Sequence, residues 1–465
     1  MEALMHNEYH DQCLGLARLG LDQDGARVLV VGLGVTGLSV IKFLQKNQIE
    51  VAVIDSRETP PCLEVVEESF RDIAVFTGGF DHTVFQAATH IIVSPGISLD
   101  EEEIQAAAEQ GIPVFGDIDV FAVCVDAPVA AITGSNGKST VTTLLSEMAK
   151  KAGWDVRAGG NLGVPALDLL SAKPADLYVL ELSSFQLERT SQLKANVAAL
   201  LNLSDDHMDR YHNVAAYYEA KERIFFGDGV AVLNRQEDFI RSLPLPSGRK
   251  VSTFGLNEPK LDEYGVISIE GQDVMSKGSR PILPVAELKI KGTHNVQNAL
   301  AAIAMADELN IPRAAQKAAL LEFPGLLHRT QWVADINGVT WINDSKATNP
   351  GACLAALEGL SAPIILIAGG DSKGAQFNTL AAAISANVSL VILIGRDAQK
   401  FQQEAVAETP YKLAATIEEA VQLAAQKATK GDTVLLSPAC ASLDQFANYQ
   451  QRGERFIAAV EGLKA

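Results

Sequence analysis

Short apolar runs of strand length alternate with amphipathic helical patterns along nearly the whole chain, and this alternation constrains the fold most. Strands apolar on both faces must be covered on both, and a helix between two of them covers the sheet while returning the chain for a parallel pairing. RVLVVG, EVAVID, IAVFTGG and HIIVSPG form a first set, separated by helical patterns such as LSVIKFLQKN and EEEIQAAAEQG. PVAAIT, DLYVLEL and VAALLNLS form a second. A more polar, β-rich insertion over about 245–290 follows it, then the Ala-rich helical pattern NVQNALAAIAMADEL. VTWINDS, PIILIAGG, LVILIG and DTVLLSP form a third set. Pro and Gly interrupt the pattern near residues 116–119 and 323–328.

The prediction is an α/β protein of three domains, since 465 residues exceed what one core organises. A Rossmann-like N-terminal domain is expected over 1–118, a central P-loop α/β domain over 119–325 and a Rossmann-like C-terminal domain over 326–465. The net charge of −19 argues against general affinity for nucleic acid or anionic membrane. An anionic small substrate would need local Lys, Arg, metal or backbone N–H groups. Cys13, Cys62, Cys124, Cys353 and Cys440 are scattered, odd in number and without a Cys-x-x-Cys pair, so neither a disulfide framework nor a zinc site is expected. The opening MEALMHNEYHDQ lacks the apolar core of a signal peptide, and no run approaches the ~18 apolar residues of a membrane span. A cytoplasmic location is the expectation.

Two glycine loops follow apolar strands. In VVGLGVTGLSV, Gly32, Gly34 and Gly37 form Gly-x-Gly-x-x-Gly at a helix start, the outline of a dinucleotide site. Either a nicotinamide cofactor or another pyrophosphate suits it. In AITGSNGKSTVTTLL, Gly134, Ser135, Asn136, Gly137, Lys138, Ser139 and Thr140 form a P-loop of the shorter Gly-x-x-Gly-Lys-Ser type. Backbone N–H groups there make an anion cradle, Lys138 can reach the β- and γ-phosphates, and Ser139 or Thr140 can ligate Mg²⁺. Glu181 ends the apolar run LYVLE, where open sheets place ligand-binding acids. His207 lies in the polar stretch SDDHMDRY and Lys221 on an amphipathic helical pattern. Taken alone, they read as a hydrogen-bonded loop histidine and a solvated lysine.

GSNGKST, ELSSFQLE, SDDHMDRY and YEAKERIF, in this order and spacing, resemble the Mur ligases, the ATP-dependent amide-bond-forming enzymes of peptidoglycan precursor synthesis. WINDSKATNP, AGGDSKG and LSPACASLDQF extend the resemblance over about residues 27–455. It implies a ligase that adds D-glutamate to UDP-N-acetylmuramoyl-L-alanine through an acyl phosphate, with ATP and two Mg²⁺ ions. In that reading the first loop holds the UDP end rather than NAD. Val35 and Thr36 would approach the diphosphate, Asp55 and Arg57 the uridine, Ser94, Pro95 and Gly96 would close over the ligand, and Asn161 would meet the amino sugar. Lys138, Glu181, His207 and Lys221 would form the catalytic set. Lys221 would carry a CO₂-derived carbamate that joins Ser139, Glu181 and His207 as a metal ligand, His207 also facing the UDP-substrate. Asn295 and Asn298 would meet adenine, and Arg329, Asp344 and Lys346 would reach the ATP from the third domain. Thr348, Lys373, Ser442 and Tyr449 would hold D-glutamate.

The sequence departs from the family pattern at LLHRTQ, where Arg329 is not followed by an aromatic and an acid, and at Tyr449, whose hydroxyl is an addition to the expected aromatic. A monomer is expected, with no nucleic-acid partner. The rival readings are another amino-acid ligase of the same superfamily and a nicotinamide dehydrogenase, which would bind NADH at Gly32–Gly37.

Overall fold

The computed structural model describes residues 15–464, apart from 171, 172, 205, 209, 291, 361 and 362. Cys13, and Asp205 and Asp209 of SDDHMDRY, therefore lie outside the described residues. Three sheets follow one another along the chain. The first contains β1 (Val28–Val31), β2 (Val51–Asp55), β3 (Ala74–Thr77), β4 (His90–Val93) and β5 (Val114–Phe115), all parallel, in the order β3-β2-β1-β4-β5. The order reverses between β1 and β4, which places the crevice for a ligand beyond their carboxyl ends.

The second sheet contains β6 (Val129–Thr133), β7 (Val156–Gly160), β8 (Leu177–Glu181), β9 (Val197–Leu200), β10 (Val230–Asn234), β11 (Val251–Phe254), β12 (Tyr264–Ile269), β13 (Gln272–Lys277) and β14 (Arg280–Pro284). Its order is β14-β13-β12-β11-β10-β9-β6-β8-β7. β6 to β12 pair in parallel, and β12-β13-β14 form an antiparallel meander within the predicted insertion. The third contains β15 (Gln331–Ile336), β16 (Val339–Asn343), β17 (Ile364–Gly369), β18 (Val388–Ile394), β19 (Tyr411–Leu413) and β20 (Thr433–Leu436), in the order β15-β16-β20-β17-β18-β19. Only β15 runs antiparallel there.

Burial is organised unevenly. One face of the first sheet and one face of the second share a single apolar cluster, in which Val30, Ile41 and Val53 belong to the same core as Ala131, Tyr178, Leu180 and Leu187. The opposite face of the second sheet packs under the helices Lys138–Lys151 and Thr293–Glu308. Thr293–Glu308 is buried on most sides, and its alanines let it lie close to its neighbours. The third sheet has its own clusters on its two faces. Each fully buried Leu, Ile or Phe contributes about 1.5–3 kcal/mol, so these clusters hold the three sheets' loops in fixed register. No helix among the described residues is long and apolar enough to cross a membrane.

Candidate active site

β6 delivers the P-loop. Gly134 and Gly137 both take positive φ, and a side chain at Gly137 would collide with Asn298 Oδ1, so only glycine fits that turn. The helix starts at Lys138, with Gly137 as its cap and no side chain occupying its first N–H groups. These groups are free for an anion. Lys138 Nζ folds back to donate to the carbonyl oxygens of Gly134 (2.7 Å) and Ser135 (2.9 Å). The loop is braced by Asn202, whose side chain accepts from Asn136 N (2.8 Å) and donates to Asn136 O (3.1 Å).

Glu181, at the end of β8, is 3% exposed. Its Oε1 accepts from Asn161 Nδ2 (2.7 Å), while its buried Oε2 has no partner. An unsatisfied buried carboxylate oxygen is costly, and its chemistry suits a hard cation. His207 takes a left-handed backbone conformation, and burial together with the nearby lysines holds its imidazole well below the ordinary pKa. It is therefore neutral at pH 7 and keeps a lone pair available.

Lys221 departs from the solvated reading that its helix pattern supports. The helix Val214–Glu222 turns it inward, where it is 1% exposed, donates to Gly134 O (2.9 Å) and lies over the Tyr217 ring at 4.7 Å. Burial and the adjacent Lys138 push its pKa well below the usual lysine value, which makes a neutral, nucleophilic amine accessible. Among the described residues no three His, Cys, Asp or Glu side chains converge as a ready ligand set. A metal here would need further oxygens beyond Glu181.

These groups open into one cavity of about 310 Å³ between the second and third sheets. Lys138, Glu181, His207 and Lys221 line it from one side; Arg329, Lys346, Thr348, Lys373, Ser442 and Tyr449 line it from the other. Beside the Lys221 amine, four cationic side chains (Lys138, Arg329, Lys346 and Lys373) face two carboxylates, Glu181 and Asp206. The strongly acidic chain thus carries a locally basic pit suited to polyanions. Arg329 crosses between the domains to donate to Ser139 Oγ (2.7 Å), and Lys346, held down to about 8 by burial and neighbouring cations, lies over Tyr449 at 4.2 Å. A smaller cavity adjoins through Asn136 and Gly137 and brings together Thr140, Asn295, Asn298, Arg329, Asp344 and Lys346. Asp344 is buried, accepts from Thr330 N and Ser437 Oγ, and is pushed up to about 7 by burial.

The first sheet's candidates form a separate group. Gly32 takes positive φ, Gly37 lies so close to Gly32 O that no side chain fits, and Ser94 Oγ donates to Gly32 O (2.8 Å). Val35 is exposed and Thr36 half-buried at the open helix start. Asp55 is buried, with Leu33 N donating to it (2.7 Å) and the Arg57 fork closing on both its oxygens (2.8 and 2.6 Å). It braces the glycine turn, which leaves Arg57 as the exposed member of the pair. Pro95 and Gly96 lie on the loop after β4, whose Ile97 carbonyl accepts from Arg189 (2.8 Å) and Arg210 (2.5 Å) of the central domain. Asn161, expected at the amino sugar, spends its amide on Glu181.

Several residues of the site escaped sequence reasoning. Asp206 lies beside His207, and Asn349 donates to both Asp206 Oδ2 (3.1 Å) and Asn136 Oδ1 (3.2 Å). Tyr217 Oη bonds Ser135 Oγ, and Phe185 packs edge-on to His207. Asn349 had one local signal, since it precedes Pro350 as a helix cap.

Comparison with known proteins bears on all three sheets. Residues 26–116 match the Mur ligase MurD-like, N-terminal domain, residues 132–306 the Mur ligase middle domain, and residues 328–440 the Mur ligase, glutamate ligase domain. UDP-N-acetylmuramoylalanine–D-glutamate ligase of Methylococcus capsulatus is 50% identical over 461 residues, covering 99% of this chain and 100% of that protein. The ligase of the same name from Pseudomonas putida is 48% identical over 439 residues, covering 94% and 97%. Among solved structures, a pseudomurein peptide ligase type C from Methanothermus fervidus superposes with a TM-score of 0.61 at 19% identity, covering 94% of this chain and 100% of that one. UDP-N-acetylmuramate-alanine ligase of Thermotoga maritima does so at 0.58 and 18% identity, covering 94% and 99%. At such identities the structural likeness speaks to fold alone.

Proposed function

The chain belongs to the Mur ligase family, and from that premise we propose that it joins D-glutamate to UDP-N-acetylmuramoyl-L-alanine, with ATP cleaved to ADP and phosphate, in peptidoglycan precursor synthesis. The observation that carries this reading is the single basic cavity in which the P-loop and Glu181 meet Thr348, Lys373 and Ser442 from the third sheet. A carboxylate is a poor acyl donor, so the alanyl carboxylate first attacks the γ-phosphorus of ATP and displaces ADP. The D-glutamate amine then attacks the acyl phosphate carbonyl, and phosphate leaves as the amide forms. Both steps gather negative charge, which Lys138, Arg329 and the loop N–H groups are placed to offset.

Glu181 Oε2, Ser139 and the neutral His207 suit divalent cations, and Mg²⁺ when bound would polarise the phosphoryl oxygens. The burial of Lys221 supports the carbamate role: its neutral amine would add CO₂ and release a proton, and would then offer an anionic oxygen where an ammonium would repel the ion. Asn295 and Asn298 flank the smaller cavity and take the adenine. Val35, Thr36, Arg57 and the 94–96 loop take the UDP end, beyond β1 and β4. The domains divide at 1–118, 119–325 and 326–465, and the enzyme acts as a cytoplasmic monomer.

The test is phosphate release from ATP with Mg²⁺ and UDP-N-acetylmuramoyl-L-alanine, comparing D-glutamate, L-glutamate, D-alanine, L-lysine and no amino acid. Release with D-glutamate alone is expected. Release with another amino acid moves the enzyme within its family; release with none removes the ligase reading.

A further inference from the structure

Arg452 is the largest charged side chain among the fully buried residues, at 0% exposure. It sits in the first turn of the helix Tyr449–Glu461, and its five hydrogen bonds all end on neutral oxygens. Nε donates to Ser345 Oγ (3.0 Å) and Nη2 to Ser345 O (2.8 Å) and Cys440 O (3.1 Å). Nη1 donates to Cys440 O (3.1 Å) and Ala441 O (3.3 Å). Among the described residues no carboxylate forms an ion pair with it, and Asp444 and Asp344 act on it only from farther off; burying such a cation costs several kcal/mol, and packing alone is met more easily by an apolar side chain. The fork spans two loops at the carboxyl ends of adjacent strands, β16 and β20. Ser345 immediately precedes Lys346, and Ala441 immediately precedes Ser442; both followers line the large cavity. Ser345 Oγ also donates to Tyr449 O (2.8 Å), which ties the start of the helix into the same knot.

We infer that Arg452 is a positioning residue for the incoming amino acid: its guanidinium fixes the spacing between the Lys346–Thr348 loop and the Ser442 loop, and it adds a buried positive charge behind them. The inference rests on the ligase reading above. A planar fork holds two loops at once and an ammonium holds one, so lysine does not replace it. An amino acid whose two carboxylates are gripped from both loops feels the misplacement most, whereas ATP, which meets only Lys346 of these loops and is otherwise held by the P-loop and Arg329, feels it far less.

The experiment measures KM for D-glutamate, ATP and the UDP-substrate, with kcat, in R452K and R452G, each checked for folding by thermal melting. Wild-type turnover is recorded first; its failure to depend on D-glutamate removes the ligase reading itself, before any variant is considered. With wild-type turnover established, folded R452K is expected to raise KM for D-glutamate about tenfold while the other two KM values stay within about twofold. Millimolar methylguanidine is expected to bring the D-glutamate KM of R452G back toward wild type. An unchanged D-glutamate KM in folded R452K overturns the inference, as does a fall in kcat with all KM values unchanged.

Discussion

Lys221 concentrates the residue-scale argument. Burial and Lys138 depress the pKa of this amine, and Glu181 Oε2 in the same cavity has no partner; the proposed carbamate would add a second anionic oxygen, and the pair would be balanced only by a bound divalent cation. Lys221→Ala is expected to lower phosphate release by on the order of 10³-fold, and added acetate to restore part of it. Full activity in the alanine variant would remove the carbamate role. Asp117 supplies a second case away from the chemistry. It is buried at the junction of the first two domains, accepts from Gln186 Nε2, has one unpartnered oxygen, and is pushed up to about 6 by burial. The folded carboxyl keeps its proton to about pH 6, while the unfolded one releases it near 3.8. Its protonation therefore favours the folded state below pH 4, and that advantage is gone above pH 6. Asp117→Asn should stabilise the enzyme at pH 8, by at most about 3 kcal/mol, and the gain should vanish near pH 4. Melting temperatures across that range, variant against wild type, check the sign.

At the scale of elements, the strand-loop-helix units carry the chemistry. In the first, Gly37 lets the helix Val35–Lys46 press against the Gly32 carbonyl. Gly37→Ala must push that helix away from β1, at about 1–3 kcal/mol. The expected kinetic result is a raised KM for the UDP-substrate with KM for ATP unchanged; equal losses in both would show a global defect instead. These units were legible in the sequence because glycine spacing, apolar strand and helix onset coincide at Gly32–Gly37 and Gly134–Thr140, and because Glu181 ends an apolar run. β15 and β19 were not among the strands read. One is an antiparallel edge strand with exposed Trp332 and the other is three residues long with two exposed, so neither presents a buried apolar run. Lys221 was legible only by resemblance, since its neighbours Glu219 and Glu222 give its helix a solvated face. Asp206 and Arg452 act through partners distant in sequence, which no local pattern encodes, and the local signal of Asn349 marks only its cap, not its bonds across the domains.

Across the whole molecule, the joint between the second and third domains is largely polar at the cavity. Asn349 bonds Asn136 and Asp206, and Arg329 bonds Ser139. Such contacts form and break on ligand binding more readily than a shared core, so the third domain is the one expected to swing and to exclude water from the acyl phosphate. Asn349→Ala is expected to enlarge the radius of gyration in solution scattering without ligands; an unchanged radius would assign closure to other contacts.

The continuous core beneath the first and second sheets has a converse. Cutting between those domains would strip apolar surface from both, so neither fragment should be recoverable when expressed by itself. The third domain, with private clusters on both faces of its sheet, carries no such debt. It is the portion that gene fusion could exchange between relatives. A chimera joined near Phe323–His328 would inherit amino-acid preference from one parent and nucleotide-sugar preference from the other. The chain is thus built as a fixed pair and a transplantable module.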